Sequence, residues 1–391
     1  MITRKRIVLL GATGSIGSST LKVLESHSDR LDLIGIAART NVDRLAKIAA
    51  RFGVRHVGLF DPAAASQAAH DPRFKTGTQF YCGVDEVSSL ATLAEADLVI
   101  VAVVGTAGLK PTLAAIEAKK TIALASKEIL VLAGEFVTRA AKENGVSILP
   151  LDSEHNAIFQ CLQGAHRRDV QRIILTASGG SFLDRPLETM DLVTREEALN
   201  HPNWSMGEKI TIDSATMANK GLELIEAKWL FGLRSDAIDI VIHRQSVIHS
   251  MVEFVDGCIL AQLSPPSMTF AIQHTLLYPD RATGTHPSLD FREPMKLDFE
   301  PPDNTKFPCL SLARRALEGE GILPAAFNAA NEIAVDAFLE GRIGFLEIPA
   351  IIDKTLELIP NREPSRLDDV TEADKEARAI ASQWVAMKIN P

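Results

Sequence analysis

The sequence predicts an α/β protein: an N-terminal doubly wound, Rossmann-like parallel sheet, a central α+β catalytic domain and a C-terminal helical bundle. Three observations lead there. Over residues 1–150, short β-branched runs alternate with longer segments of helical period. A glycine-rich stretch, Gly11-Ala12-Thr13-Gly14-Ser15-Ile16-Gly17, stands directly between the first run and the first helical segment. From about Leu151 the apolar runs are separated by short turns, and a proline-dense stretch then precedes a last block with helical spacing.

Candidate strands in the first part are residues 6–10, 33–37, 54–59, 97–103, 121–125 and 146–149, with helices over 15–26, 42–52, 109–118 and 128–144. The strands are apolar without period-two alternation, which suits a sheet covered on both faces, and the helical spacers suit right-handed crossovers. In the middle part, runs at 172–176, 237–243, 247–255 and 258–263 read as a partly antiparallel sheet, with Val255-Asp256-Gly257-Cys258 as a hairpin bend. Six prolines from Pro279 to Pro308 forbid long helices and central strands there. Segments 310–317, 325–339, 348–358 and 368–387 then have helical spacing. The expected division is 1–150, 151–278 with a lid around 199–209, a linker over 279–309, and 310–391.

A length of 391 residues fits two or three domains, and 46% hydrophobic with 23% charged residues excludes disordered, collagenous and coiled-coil classes. With 41 Lys and Arg against 50 Asp and Glu, the net charge of −9 gives no general attraction to nucleic acid or anionic membrane. A phosphorylated ligand therefore needs a local basic site. Cys82, Cys161, Cys258 and Cys309 form no C-x-x-C pair, so neither a zinc ribbon nor a disulfide scaffold is expected. The apolar run after Arg4-Lys5-Arg6 stops at Gly11, and the run 98–104 is too short to cross a bilayer. A cytoplasmic protein is expected.

The glycines at 11–17 permit a tight turn and bring backbone amides close to a pyrophosphate at a helix N-terminus. After the second strand an NAD site calls for an acid on the ribose; Ala38-Arg39-Thr40-Asn41 offers a cation instead, which suits a 2′-phosphate and hence NADPH. In Leu151-Asp152-Ser153-Glu154-His155, extended backbone would point Asp152 and Glu154 the same way, where they can share a cation. On the helix opened by Asn219-Lys220-Gly221-Leu222-Glu223, Asn219, Lys220 and Glu223 share one side. An all-carboxylate site is hard and selects Mg²⁺ or Mn²⁺ over Zn²⁺. The alternative is that Asp152-Ser153-Glu154 is a helix cap with acids in the first turn, and that Glu226 rather than Glu223 faces inward.

Ala177-Ser178-Gly179-Gly180-Ser181 and Asp213-Ser214-Ala215-Thr216, each read as a strand end, join Asn219-Lys220 as parts of a phosphate pocket. Each alone is also ordinary turn or capping chemistry. His201-Pro202-Asn203-Trp204-Ser205-Met206-Gly207 reads as a loop in which Trp204 and Met206 must cover something, a ligand or a neighbouring domain.

These stretches, with Ala125-Ser126-Lys127-Glu128, occur in the order that resembles the 1-deoxy-D-xylulose 5-phosphate reductoisomerase family, over essentially the whole chain. The resemblance implies that Asp152, Glu154 and Glu223 bind a divalent metal. It implies that Lys127 and Ser153 contact the substrate's oxygenated carbons, that Glu154 and Glu223 also meet the substrate, and that Lys127, Asp152, Glu154, Glu223 and His201 have catalytic roles. Ser178, Ser214, Asn219 and Lys220 would hold the substrate phosphate, and His201, Trp204 and Met206 would close over it. Thr13, Gly14, Ser15, Ile16, Arg39, Thr40, Asn41, Ser126, Glu128 and Gly207 would line the NADPH site. Ser126 stands where the family usually has Asn, and Arg39-Thr40 where it often has Gly-Lys. The implied partners are a phosphorylated ketose and a second copy in a homodimer. Two other readings are a metal-free NADPH-dependent dehydrogenase of another hydroxy or keto acid, and a non-catalytic nucleotide-sensing protein.

Overall fold

In chain order the first elements are β1 (Lys5–Leu10), α1 (Ser15–Ser26), β2 (Leu31–Ala38), α2 (Val42–Phe52), β3 (His56–Leu59), α3 (Pro62–Ala69) and β4 (Gln79–Cys82). They are followed by α4 (Gly83–Ala91), β5 (Leu98–Val101), α5 (Leu109–Glu117), β6 (Thr121–Leu124), α6 (Glu128–Asn144), β7 (Ile148–Pro150) and α7 (Ser153–Cys161). Then come β8 (Val170–Ala177), α8 (Arg195–Ala198), α9 (Glu208–Ala215), α10 (Ala218–Phe231), β9 (Ile238–Ile242), β10 (Ile248–Phe254) and β11 (Ile259–Leu263). The chain ends with α11 (Met268–Leu277), α12 (Pro308–Gly319), α13 (Leu323–Leu339), α14 (Glu347–Leu358) and α15 (Leu367–Ile389). This computed structural model describes residues 4–389; residues 1–3 and 390–391, included in the expected domain bounds, lie outside the described residues.

Two compact units emerge: Met1–Ile129 with Glu135–Asn156 and Ser267–Ser288, and Leu130–Gly134 with Ala157–Pro266 and Leu289–Pro391. In the first, seven parallel strands lie in the order β4-β3-β2-β1-β5-β6-β7. Strands such as Leu98-Val99-Ile100-Val101 are buried along their whole length, which is why they read as unbroken apolar runs. The order reverses between β1 and β5, the point where open α/β sheets bind ligands. Because the strands are parallel, residues 11–17, 39–41, 126–128 and 151–154 all emerge at one edge of this sheet. β4 was not anticipated: it is a four-residue edge strand, half polar, set between Gly77 and Gly83. α11 belongs to this unit rather than to a domain ending at 278, since Ile272, Leu276 and Leu277 are buried in the core with Leu9, Leu24 and Ile100.

The second unit holds a sheet in the order β11-β10-β8-β9, antiparallel except for β8 with β9. Helices α12 to α15 do not stand apart as the expected terminal domain. Their apolar faces share one core with α10 and the sheet, through Phe307, Phe327, Ile352 and Ala377 beside Leu222, Ile225 and Ile173. The expected linker is extended, yet it closes one sheet edge: Ile242 N donates to Glu300 O at 2.8 Å, and Glu300 N returns the bond at 3.1 Å.

Candidate active site

The glycine loop leaves no room for a Cβ at its two ends, Gly11 and Gly17. Gly11 has φ +95, and a Cβ there would lie 2.1 Å from Ala102 O, so the turns after β1 and β5 touch backbone to backbone at the switch point. At Gly17 a Cβ would lie 2.5 Å from both Ala12 O and Gly11 O. Gly14 starts α1 and no side chain caps it, which leaves the positive helix end to a ligand. Gly14 and Ser15 are exposed here, with Thr13 and Ile16 half-buried. Arg39 and Thr40 are exposed directly beyond β2, and Asn41 Oδ1 accepts from Arg44 N at 3.0 Å to cap α2. Ser126 Oγ donates to Val103 O at 2.5 Å, tying the turn after β6 to the one after β5.

Next along the same edge, Lys127 is only 5% exposed, and its Nζ donates to Asp152 Oδ2 at 2.6 Å. Burial alone would raise the Asp152 carboxyl; the Lys127 ammonium, with His155, overrides it and holds the group well below the usual carboxylate range. Asp152 and Glu154 do not project from extended backbone as expected. β7 ends at Pro150 and α7 starts at Ser153, so Asp152 is the cap, with Oδ1 accepting from Glu154 N at 3.2 Å. The two acids stand side by side through helix-start geometry. Ser153 Oγ donates to Glu154 Oε2 at 2.7 Å.

In the second unit, Ser178 follows β8 and meets His201 from the 199–209 loop, Oγ to Nε2 at 3.0 Å. His201 Nδ1 accepts from Asn203 N at 3.1 Å and Trp204 N at 3.0 Å, so the ring proton sits on Nε2 and is donated to Ser178. Burial lowers the His201 pKa, which favours this neutral form. Trp204 and Met206 are half-buried and Gly207 exposed, and the Trp204 ring meets His249 edge-on at 6.3 Å.

Ser214 does not end a strand. It sits in α9, because the apolar residues of Ile210-Thr211-Ile212 serve a buried helix rather than a sheet. Gly180, φ +67, brings the Ser178 loop against it: a Cβ at 180 would lie 2.4 Å from Ser214 O. α10 opens after Met217, whose φ of +62 places a non-glycine residue in left-handed backbone. Asn219 Nδ2 donates to Glu223 Oε1 at 2.6 Å and Lys220 Nζ to Glu223 Oε2, so the one-sided spacing becomes a clamp on a carboxylate that is 1% exposed. Glu226 is also buried on this helix.

Comparison with known proteins completes the picture. Models of the 1-deoxy-D-xylulose 5-phosphate reductoisomerase family match residues 7–134, its C-terminal domain matches 148–231, and a second DXP reductoisomerase C-terminal domain matches 263–380. The reductoisomerase of Ectopseudomonas mendocina is 47% identical over 392 residues, covering 99% of this chain and 100% of that protein. This chain belongs to the 1-deoxy-D-xylulose 5-phosphate reductoisomerase family. A second member, from Cellvibrio japonicus, is 48% identical over 97% of the chain and 98% of its own length. Among solved structures, the reductoisomerase from Zymomonas mobilis in complex with NADPH superposes with a TM-score of 0.91 at 46% identity, covering 98% of this chain and 99% of that one. Another, a DOX-P reductoisomerase in complex with NADPH, fosmidomycin and magnesium, gives 0.91 at 41% identity over 98% of each chain.

In this chain, sequence reasoning missed the strained turn at Met217 and the buried partners of Asp213. A methionine carries no turn signal, and Asn331, which bonds Asp213, is 118 residues away. The burial of Lys127 beside Asp152 had a faint signal, a lysine three residues beyond an apolar strand.

Proposed function

We propose that this chain rearranges and reduces 1-deoxy-D-xylulose 5-phosphate to 2-C-methyl-D-erythritol 4-phosphate, using NADPH and a divalent cation, Mg²⁺ or Mn²⁺, in isoprenoid precursor biosynthesis. One observation carries the reading: the agreement along 98% of the chain with a family member solved with NADPH. The chain's own chemistry fits both groups. The uncapped loop at 11–17, where Gly11 and Gly17 leave no room for a Cβ, suits a pyrophosphate. Asp152, Glu154 and Glu223 offer hard carboxylate oxygens, the donor type Mg²⁺ takes.

Bound, the cation supplies Lewis acidity at the substrate's ketone and adjacent hydroxyl oxygens, and NADPH supplies the hydride. Asp152, Glu154 and Glu223 would hold the cation. Thr13, Gly14, Ser15 and Ile16 would receive the pyrophosphate, with Arg39, Thr40 and Asn41 at the 2′-phosphate and Ser126, Glu128 and Gly207 beside the remainder. Lys127 keeps Asp152 ionised and, with Ser153, would contact the substrate's oxygenated carbons. Ser178, Ser214, Asn219 and Lys220 bind the phosphate, so that Lys220 is the local cation that a chain of net charge −9 requires. Neutral His201 fixes Ser178, and its loop, with Trp204 and Met206, closes over the substrate and excludes water.

The functional form is a homodimer in the cytoplasm. Two features support this. β11 is an open sheet edge with Ile259 49%, Leu260 51% and Leu263 38% exposed, and among the described residues no helix is long and apolar enough to cross a membrane. Glu223→Gln is expected to abolish turnover while NADPH binding, followed by fluorescence, stays nearly intact; a near-normal rate overturns the metal assignment. Lys220→Ala is expected to weaken the phosphorylated ketose more than an unphosphorylated one, and equal losses contradict the phosphate role.

A further inference from the structure

Asp213 is a buried carboxylate without an assigned role. It is 1% exposed and sits one residue before Ser214. Its Oδ2 accepts from Lys209 Nζ at 2.7 Å, one turn back on α9, and its Oδ1 from Asn331 Nδ2 at 2.8 Å, on α13. From α12, the Cys309 thiol is pushed up to about 12 by burial and then by the Asp213 charge, so the carboxylate faces three helices.

The segment after Asp213 is tied to it in sequence. Thr216 Oγ1 shares its proton between Ile212 O at 3.1 Å and Asp213 O at 3.2 Å and accepts from Ala218 N at 3.3 Å, spanning the left-handed Met217. Ser214, Asn219 and Lys220 all ride on this corner between α9 and α10.

Asn331 is a poor choice for packing alone. It is fully buried beside Ala330, Ala334 and Phe327, and its Oδ1 has no hydrogen-bond partner among the described residues. An apolar side chain of similar size would avoid that desolvation cost, so the amide's service lies in the donor it turns to Asp213.

We propose that Asn331, acting through Asp213, is a positioning residue for the substrate's phosphate end, fixing the α9–α10 corner that presents Ser214, Asn219 and Lys220. This rests on the phosphate reading above. Strain at Met217 is held only while the surrounding contacts over-determine the corner, and Asp213 is where α13 and α9 meet to do so.

The test compares Asn331→Leu, Asn331→Asp and the exchanged pair Asp213→Asn with Asn331→Asp in steady-state kinetics, with inorganic phosphate as a competitive probe and thermal unfolding alongside. Both single variants are expected to raise KM for the ketose phosphate, and weaken inhibition by phosphate, by roughly tenfold to a hundredfold. KM for NADPH should stay put, kcat should fall less than KM rises, and the exchanged pair should recover most of the loss because amide and carboxylate trade places. An unchanged KM, a loss shared equally by NADPH and ketose phosphate, or an exchanged pair no better than Asn331→Asp overturns the proposal. Lys220→Ala separates the layers: if it raises KM and the Asn331 variants do not, only the positioning role fails. If it too leaves KM unchanged, the phosphate reading falls and takes this one with it.

Discussion

At residue 11 a single methyl group decides whether the β1 turn can keep its shape. Gly11→Ala would force L-residue backbone into φ +95 and drive a Cβ into Ala102 O, so a destabilisation of about 1–3 kcal/mol and a raised KM for NADPH are expected. Thermal unfolding and steady-state kinetics check it, and a wild-type KM would count against the loop as the cofactor cradle. His201 gives a pH prediction. Burial lowers its pKa, so an unfolded chain takes up this proton as pH falls past about 6.5 while the folded chain resists until lower pH. The stabilisation is therefore complete above that value and lost as pH falls through the folded pKa. Protection from amide exchange in the 199–209 loop, taken relative to the intrinsic rate at each pH, should fall on acidification, and His201→Asn should flatten the response; wild-type protection that is constant from about pH 7 to 5 contradicts it. At this scale the sequence was informative where one residue type has few uses, as at Gly11, and silent where tertiary context decides. Nothing in Met217 or Asn331 announces a left-handed turn or a buried donor.

α2 separates capping from cofactor binding at Asn41. Asn41→Ala should cost about 1 kcal/mol of stability by removing the bond to Arg44 N, whereas Asn41→Gly should cost only a few tenths. If Asn41 also touches the 2′-phosphate, both variants lose NADPH affinity alike; an affinity that tracks stability instead assigns the residue to capping alone. Elements with strong periodicity and clear ends were legible: the spacing over 15–26 and 42–52 corresponds to α1 and α2 as they stand, and that over 128–144 to the ends of α6, whose kink at Ala133 (φ −135) the spacing does not announce. β4 escaped because a half-polar edge strand has no apolar run, and α9 misled because Ile210-Thr211-Ile212 has strand propensity that its packing against α10 and α13 overrides. The acids at 152 and 154 were found with the wrong local geometry, since a strand end and a helix start can both bring them together.

For the molecule as a whole, the sheet of the second unit has one edge closed by Glu300 and the other, β11, open. Leu260→Lys should leave a monomer by light scattering if a second copy adds along β11, and an unchanged dimer contradicts that edge. The two-unit division was not legible, because α12 to α15 complete a core begun by α10, and only the folded chain reveals which apolar faces meet. The chemistry is tested by NADPH consumption by the purified protein with 1-deoxy-D-xylulose 5-phosphate, with Mg²⁺ and after its removal by EDTA. Oxidation of NADPH should depend on both the ketose phosphate and the metal, with 2-C-methyl-D-erythritol 4-phosphate as product. Oxidation unaffected by EDTA, or none with metal and ketose phosphate both present, would contradict this chemistry.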